Sequence, residues 1–320
     1  MATIETAGIK RANGGRPLIK PALWTIGFAA LLIMPFFVYP AFLVKMLCFC
    51  LFACAYNLLA STTGLLSFGH AAFFGSAAFT AGYAVKAWGV PFEVAVLVGT
   101  ATGFFLGLVL GFIAVRRQGL YFAMITLALA QLVYFLAFQL PFTHADDGLS
   151  GISRGYLLGM VDLNNNYAMY YTTLVICVIG FAITFRIIHS PFGSILRAIR
   201  DNQPRAISLG YSVDKYKIMV FALSAAMSGT AGALKAIALR LATVYDLHWA
   251  TSGDVLVMTL LGGSQTLLGP VVGAVIVTSL HDYLAESGLP ISVVIGTTFV
   301  LCILLFRNGI VGELKQRLKL

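Results

Sequence analysis

Apolar runs long enough to cross a lipid core, about 20 residues each, follow one another along nearly the whole chain with short polar breaks between them. The pattern predicts spans at about Pro21–Tyr39, with Pro35 near the far end, and at about Ala41–Ala60. A break at Ser61–Gly64 leads into a third, glycine-rich span ending near Lys86. Further spans are expected at about Pro91–Val115, closed by Arg116 and Arg117, and at about Gly119–Leu140. A polar segment, Pro141–Asn166, precedes a sixth span at Tyr167–Ile188. The seventh is expected at about Ile218–Leu241, and two more at about Pro270–Leu284 and Pro290–Phe306. The alternation that a transmembrane barrel would show, over segments of about ten residues, is absent. The chain therefore reads as an all-α polytopic membrane protein.

The longest polar interval within this pattern is Ser190–Lys217, SPFGSILRAIRDNQPRAISLGYSVDKYK. It carries Arg197, Arg200, Arg205, Lys215 and Lys217, with Arg186 just ahead. Asp201 or Asn202 can cap a short helix with Pro204 in its first turn, and Gly210 stands where a C′ glycine would stop it. The local signals predict helix, break, short helix, glycine stop, and return into the membrane. A flexible linker has no use for that punctuation. A loop that presents a rigid short helix to a partner does.

One segment resists simple counting. YDLHWATSGDVLVMTLLGGSQTLLG, after the seventh span, has an apolar core of only about ten residues, too few for a full crossing. Charge decides how to treat it. If it crosses, there are ten spans with both termini cytoplasmic, and sixteen Lys/Arg fall inside: the N-terminal tail, Arg116–Arg117, Arg186–Lys217 and the C-terminal tail. Only Lys45, Lys86, Arg154, Lys235 and Arg240 then lie outside, which follows the positive-inside pattern. We therefore expect about ten transmembrane helices, some short or broken. Residues 1–20 form a cytoplasmic tail, 21–306 the membrane region and 307–320 a second cytoplasmic tail. The loop 141–166 is external and the loop 189–217 cytoplasmic. No small-x-small cleavage site follows the first span, so it reads as an uncleaved signal-anchor.

Composition agrees with a membrane protein. The chain is 59% hydrophobic and 10% charged, against about 25% charged for a soluble domain. The net charge of +9 sits at the ends of apolar runs, which membrane topology explains and nucleic-acid binding does not. Cys48, Cys50, Cys54, Cys177 and Cys302 lie inside apolar runs without metal-ligand spacing and read as small buried hydrophobes. Gly99, Gly103, Gly107 and Gly111 repeat every four residues, a smooth stripe that admits a second helix backbone, from this chain or from a partner subunit. Gly269 with Gly273, and Gly229 with Gly232, repeat the idea more weakly. TGLLSFGHAAFFGSAAF and QTLLGPVVGAVIV faintly echo each other, as duplicated halves of transporters do.

Two strings mimic enzyme motifs. Gly151–Gly155 fits G-x-S-x-G, but that motif needs a strand, a sharp turn and a helix, and here it falls in an external loop. Leu261-Gly262-Gly263-Ser264-Gln265 is similar to an ATPase signature, yet the chain has no P-loop and does not hydrolyse ATP by itself. The ionisable residues in or beside spans are His70, Glu93, Asp254, His281, Asp282 and Glu286. Their ordinary reading is helix ends that touch water; the functional one is a polar pathway, for which His70 and Asp254 are the candidates. The external THADDGLSGI, with Asp146, Asp147 and Gly148, is either a solvated loop or the meeting point for an external partner. Asn164–Asn166 has no reading from sequence.

Several stretches belong together. YNLLASTTGLLSFGHAAFFG, GLYFAMITLALAQ, DGLSGI, SPFGSILRAIRDN, LGYSVDKYKIMVFALSAAMSGTAGAL and LLGGSQTLLGPVVGA resemble the LivM-type permease of the branched-chain amino-acid ABC importer family. The match spans about residues 50–306 and is specific as a set. The resemblance implies a second, homologous permease, two ATPase subunits that bind ATP and Mg, a periplasmic binding protein and the bacterial inner membrane. It also implies a coupling helix at about Asp201–Gly210, within a docking loop carrying Arg197, Arg200, Pro204, Arg205 and Leu209. One departure is Thr143-His144-Ala145-Asp146-Asp147, where the family usually shows T-G-G before D-G-L. Urea, short amides and other amino acids remain alternative substrates. A stand-alone transporter driven by protons or sodium, using Asp254, is a rival reading, although it has no reason for a basic, glycine-stopped loop. No nucleophile–base pair or metal-ligand set supports a membrane-embedded enzyme.

Overall fold

The computed structural model describes residues 31–143, 147–264, 266–287, 293–294, 296–300 and 309–317. Asp146, Gln265, Cys302, Arg307, Lys319, the tail 1–20 and most of the tenth expected span lie outside them, as do the side chains of Glu286, Lys315 and Arg317. The chain divides into two compact units, Met1–Tyr39 and Pro40–Leu320. In the first, the described residues carry a 3-10 turn, Met34–Phe36. Pro35 sits in its first turn, where the missing N–H costs nothing.

The second unit is helical. It contains α1 (Pro40–Thr63), α2 (His70–Trp88), α3 (Phe92–Ala114), α4 (Leu120–Gln139), α5 (Asn166–Ile188), α6 (Pro191–Asp201), α7 (Gln203–Ser208), α8 (Val213–Leu239), α9 (Trp249–Gly262), α10 (Gly269–Ser287) and α11 (Ile310–Arg317). Residues 293–294 and 296–300 are also helical. α1, α3, α4, α5 and α8 are long and apolar enough to cross a membrane. α9 has 14 residues and is about 21 Å long, short of a hydrocarbon core of about 30 Å. Two pairs of very short antiparallel strands complete the unit: β1 (Leu149–Ser150) with β4 (Leu241–Ala242), and β2 (Tyr156–Leu157) with β3 (Val161–Asp162).

Burial separates the helices into a core and a periphery. In their most apolar windows α1 is 83% and α8 is 72% buried, whereas α4 and α5 bury only 17% and 22%. The first two form the centre together with the largely buried α2, and α4 and α5 keep most of their surface exposed. The glycine stripe decides how α3 joins that centre. A Cβ on Gly99 would lie 2.6 Å from Ala233 Cβ, one on Gly103 would lie 2.5 Å from the Ala225 carbonyl, and one on Gly111 would lie 2.9 Å from Phe221. A Cβ on Gly107 would run into Ala225. All four face α8 of the same chain, and Gly229 answers them from the other side. Thr100 and Thr230 share a hydroxyl hydrogen bond of 2.8 Å across the same contact. Gly273 lies against the Met258 carbonyl in the same manner, joining α10 to α9.

Two boundaries differ from those read in the sequence. α1 continues through Ser61 to Thr63, because Thr62 and Thr63 donate back to the Leu58 and Leu59 carbonyls at 2.6 and 2.8 Å and so satisfy their hydroxyls within the helix. The break begins at Gly64, at φ 70°. α8 begins at Val213, five residues before the apolar run, with Asp214 in the first turn where the helix dipole favours an acid. Lys215 and Lys217 are therefore helical residues and not part of the loop.

Candidate functional site

The polar interval after α5 folds as two capped helices. Ser190 caps α6, its Oγ accepting from Gly193 N at 3.3 Å, and Pro191 fills the first turn. Asn202, not Asp201, caps α7: its Oδ1 accepts from Arg205 N at 3.0 Å. At the far end Gly210 N donates to the Ile207 carbonyl at 2.9 Å and Tyr211 N to the Ala206 carbonyl at 3.1 Å. With Gly210 at φ 88°, this is a complete Schellman stop.

One side of this unit has its own small core. Ile199, Ala206 and Val213 are buried together, with Ile195 and Tyr216 packed around them. The other side is open: Arg205 is exposed, and Ile207, Leu209 and Tyr211 are 56%, 69% and 40% exposed. A rigid face of one cation and three apolar side chains results. Arg197 and Arg200, expected within the docking surface, are both bonded to backbone carbonyls of this chain, Arg197 half-buried and Arg200 still exposed. Arg197 Nη1 donates to the Ile188 carbonyl at 2.7 Å. Arg200 Nη1 donates to the Ser61 carbonyl at 2.5 Å, and its Nη2 lies 3.3 Å from the Asp201 carboxylate. The reason is their register: both fall on the side of α6 that meets the ends of α5 and α1, so each guanidinium fills the open carbonyls of a helix end.

On the opposite side, residues 147–166 are not a solvated loop but a folded cap. Leu149 and Ile152 are buried against α2, where a Cβ on Gly82 would lie 2.7 Å from Ile152. Gly148, at φ 65°, lies so close to the Ala242 carbonyl that any Cβ would stand 2.5 Å from it. Asp147 is exposed beside it. Lys86 Nζ donates to the Ser150 carbonyl at 3.0 Å, and the Glu93 carboxylate accepts from Leu158 N. The three asparagines each have a separate task. Asn164 Oδ1 accepts from Arg240 at 2.8 Å, Asn165 caps α5 by accepting from Tyr167 N at 2.9 Å, and Asn166 Oδ1 accepts from Arg154 at 2.7 Å.

Three sets of polar groups lie among the long helices. His70 opens α2 and is fully buried, with Tyr56, Phe73 and Phe221 edge-on around it at 4.9, 5.7 and 5.9 Å. Its Nε2 lies 2.8 Å from Ser224 Oγ, and Ser224 donates its single proton to the Ala55 carbonyl at 2.5 Å. Ser224 must then accept from His70, which places the imidazole proton on Nε2 and leaves Nδ1 a bare acceptor. In this conformation His70 faces no open pathway. Asp254 on α9 lies 3.9 Å from His281 on α10, and the next residue, Asp282, pairs with Lys45 of α1 at 2.5 Å. These four side chains are each about a third exposed. His70 and Asp254 thus belong to different surroundings.

The third set escaped the sequence reading. Lys235 of α8 pairs with Asp246, both side chains nearly buried, and its ammonium also stands over the Phe49 and Phe74 rings at 5.7 and 5.6 Å. A signal existed. A lysine inside an apolar helix calls for a counter-charge, and Asp246 is the next acid along the chain.

A family model described as the permease component of branched-chain amino acid transport systems matches residues 39–306. The chain is 25% identical over 291 residues to the high-affinity branched-chain amino acid transport system permease protein LivM of Salmonella typhimurium, covering 82% of this chain and 68% of that protein. It is 24% identical, with the same coverage, to LivM of Escherichia coli. Half of the chain is also 26% identical to half of the ribose import permease protein RbsC of Bacillus subtilis. No solved structure matches.

Proposed function

The chain belongs to the family of permease components of branched-chain amino acid transport systems, and from that premise we propose that it is the membrane subunit of an ATP-driven importer for branched-chain amino acids. The observation that carries the reading is α7, a short helix capped at both ends with an exposed apolar and cationic face. It is the coupling helix. Two ATPase subunits, which bind the ATP and Mg, dock on it from the cytoplasm, and a homologous second permease completes the membrane assembly. A periplasmic binding protein delivers substrate to the external cap, with Asp146 and Asp147 as contacts, while Gly148, buried against the Ala242 carbonyl, shapes the turn that carries them. The assembly sits in the bacterial inner membrane, with ten crossings and both termini cytoplasmic. It takes lipid as solvent and no nucleic acid as partner.

The mechanism follows from how α7 is held. Its buried side packs on Ile199 and Val213, so a push from the closing ATPases passes to α6 and to the start of α8. Arg200, bonded to the end of α1, carries the same displacement to that helix. α1 and α8 form the buried centre, so their tilt alternates access to the two sides. Asp254, a third exposed on α9, lies on the pathway; His70 enters it only when the α1–α8 packing shifts. The substrate is set chiefly by the delivery protein. That half of the chain is similar in sequence to half of a ribose permease supports this division of labour.

The alternative is a proton-coupled secondary transporter, for which the Asp254–His281 pair is the relevant observation. Co-expression with candidate ATPase subunits and affinity capture separates the two. The native chain should retain the ATPases, while Arg205→Glu and Gly210→Pro lose them and still insert. If no ATPase binds the native chain, and uptake in proteoliposomes follows a proton gradient that Asp254→Asn abolishes, the importer reading is wrong.

A further inference from the structure

A cavity of about 400 Å³ lies where the end of α6 meets α7, bounded by the break after α1 and by the α3–α4 connection. Its size is that of a small-molecule site. Its charged lining is Arg200, Asp201 and Lys217, with Gln118, Gly119 and Gln203 among the other walls. Lys217 is 3% exposed. Its Nζ donates to Gln203 Oε1 at 2.7 Å, a neutral acceptor. Among the described residues no carboxylate lies within salt-bridge distance of it, and Asp214, one turn earlier on α8, is exposed. A buried ammonium whose hydrogen-bond partner is an uncharged amide oxygen, and on which the exposed Asp214 acts only from beyond salt-bridge distance, has no paired counter-ion, which is costly unless an anion supplies the missing charge.

The balance of charge says how large that anion is. Asp201 is already paired with Arg200, so the cavity carries one net positive charge. Arg116 and Arg117, both exposed, immediately precede Gln118 on the rim. Just beyond Gly119, Leu120 and Tyr121 at the start of α4 are 82% and 72% exposed, so the mouth opens beside a lipid-facing helix end. We propose that this cavity is a binding site for a singly charged oxyanion, filled by the phosphodiester headgroup of an anionic phospholipid. A free oxyanion such as inorganic phosphate shares the chemistry. A choline headgroup would bring its cation against Arg116 and Arg117 and is disfavoured. Since the α7 cap Asn202 also lines the cavity, an occupant braces α7 against α1 and α8. That consequence rests on the coupling role given to α7; the binding itself does not.

The test uses the purified full chain in detergent. Phosphatidylglycerol, phosphatidylcholine and inorganic phosphate are added separately, lipid retention is read by native mass spectrometry, and amide exchange is followed over residues 199–217. Phosphatidylglycerol should be retained in preference to phosphatidylcholine and should protect those amides. Lys217→Gln should weaken retention about tenfold, the loss of one charge-assisted contact. Gln203→Glu gives Lys217 an internal counter-ion, so it should keep the fold and lose the lipid as well. Protection by phosphate but not by phosphatidylglycerol, abolished in Gln203→Glu, would overturn the lipid assignment in favour of a free oxyanion. Equal retention of both lipids by the native chain and both variants, without protection by phosphate, would overturn the site. Capture of the ATPase subunits is read separately, so loss of this proposal leaves the importer reading intact.

Discussion

Arg154 Nη1 donates to Asn166 Oδ1 at 2.7 Å. The same guanidinium reaches the Ala238 carbonyl through Nε at 3.0 Å and through Nη2 at 2.6 Å. One nearly buried arginine thus fastens the cap of residues 147–166 to the ends of both α5 and α8. Replacing it by Ala leaves buried carbonyls without donors and should cost about 3 kcal/mol locally. Limited proteolysis of proteoliposomes should show new cleavage within residues 147–163 while the helices stay protected. Asn166→Ala, which removes only one acceptor, should open the cap far less. A native-like protease pattern in Arg154→Ala would refute the bracing role.

The α3–α8 contact predicts a graded response to single methyl groups. Gly103→Ala forces its Cβ against the Ala225 carbonyl, a backbone atom that cannot swing away, and should cost about 2 kcal/mol. Gly253 on α9 has open space where its Cβ would be, so Gly253→Ala should be neutral or slightly stabilising. Thermal unfolding in detergent, followed by tryptophan fluorescence, distinguishes the two. Equal melting temperatures would mean that α3 and α8 do not depend on this close approach.

Lys235 and Asp246 make a sharper case because neither is well solvated. Lys235→Met alone strands a buried carboxylate and should destabilise by roughly 3–5 kcal/mol, as should Asp246→Leu alone. The double variant removes both charges and should recover most of the loss. The yield of monodisperse protein on size exclusion gives the ordering. A double variant worse than either single one would show that the pair is stabilising in itself and not merely compensated.

At α7, Asn202→Ala removes the side-chain cap and should cost about 1 kcal/mol, raising amide exchange over residues 205–211 roughly fivefold. Leu209→Ser leaves the helix intact and removes an exposed apolar contact, so it should leave exchange unchanged while lowering ATPase retention. Together the two separate rigidity from surface. If Leu209→Ser retains ATPases like the native chain, the face bearing Ile207 and Leu209 is not where they dock.

Local structure was legible wherever neighbouring residues decide it. The apolar runs located the ends of most helices within a few residues, since a helix in lipid must satisfy its backbone internally and requires about 20 apolar residues to do so. Pro204 and Gly210 marked the start and stop of α7 because each acts through its own backbone. The Gly99–Gly111 stripe announced a close approach, since spacing along one helix is a local property. The family resemblance was legible too, being carried by sequence itself.

What only the tertiary structure decided are the partners. The stripe could not say that α8, rather than another subunit, fills it. Both Arg200 and Arg205 are exposed, and nothing local says that Arg200 reaches Ser61 from 139 positions away in the chain. Three consecutive asparagines carry no signal until Arg154, Arg240 and the start of α5 converge on them. Lys235 calls for a counter-charge, but only the fold shows that Asp246 supplies it, and Lys217 reads as a loop cation until the fold buries it. Sequence determines where this chain bends and where it can enter lipid, because those costs are paid residue by residue. Which polar groups face each other is settled only by packing, because a buried charge is tolerated solely where distant parts of the chain bring it a partner.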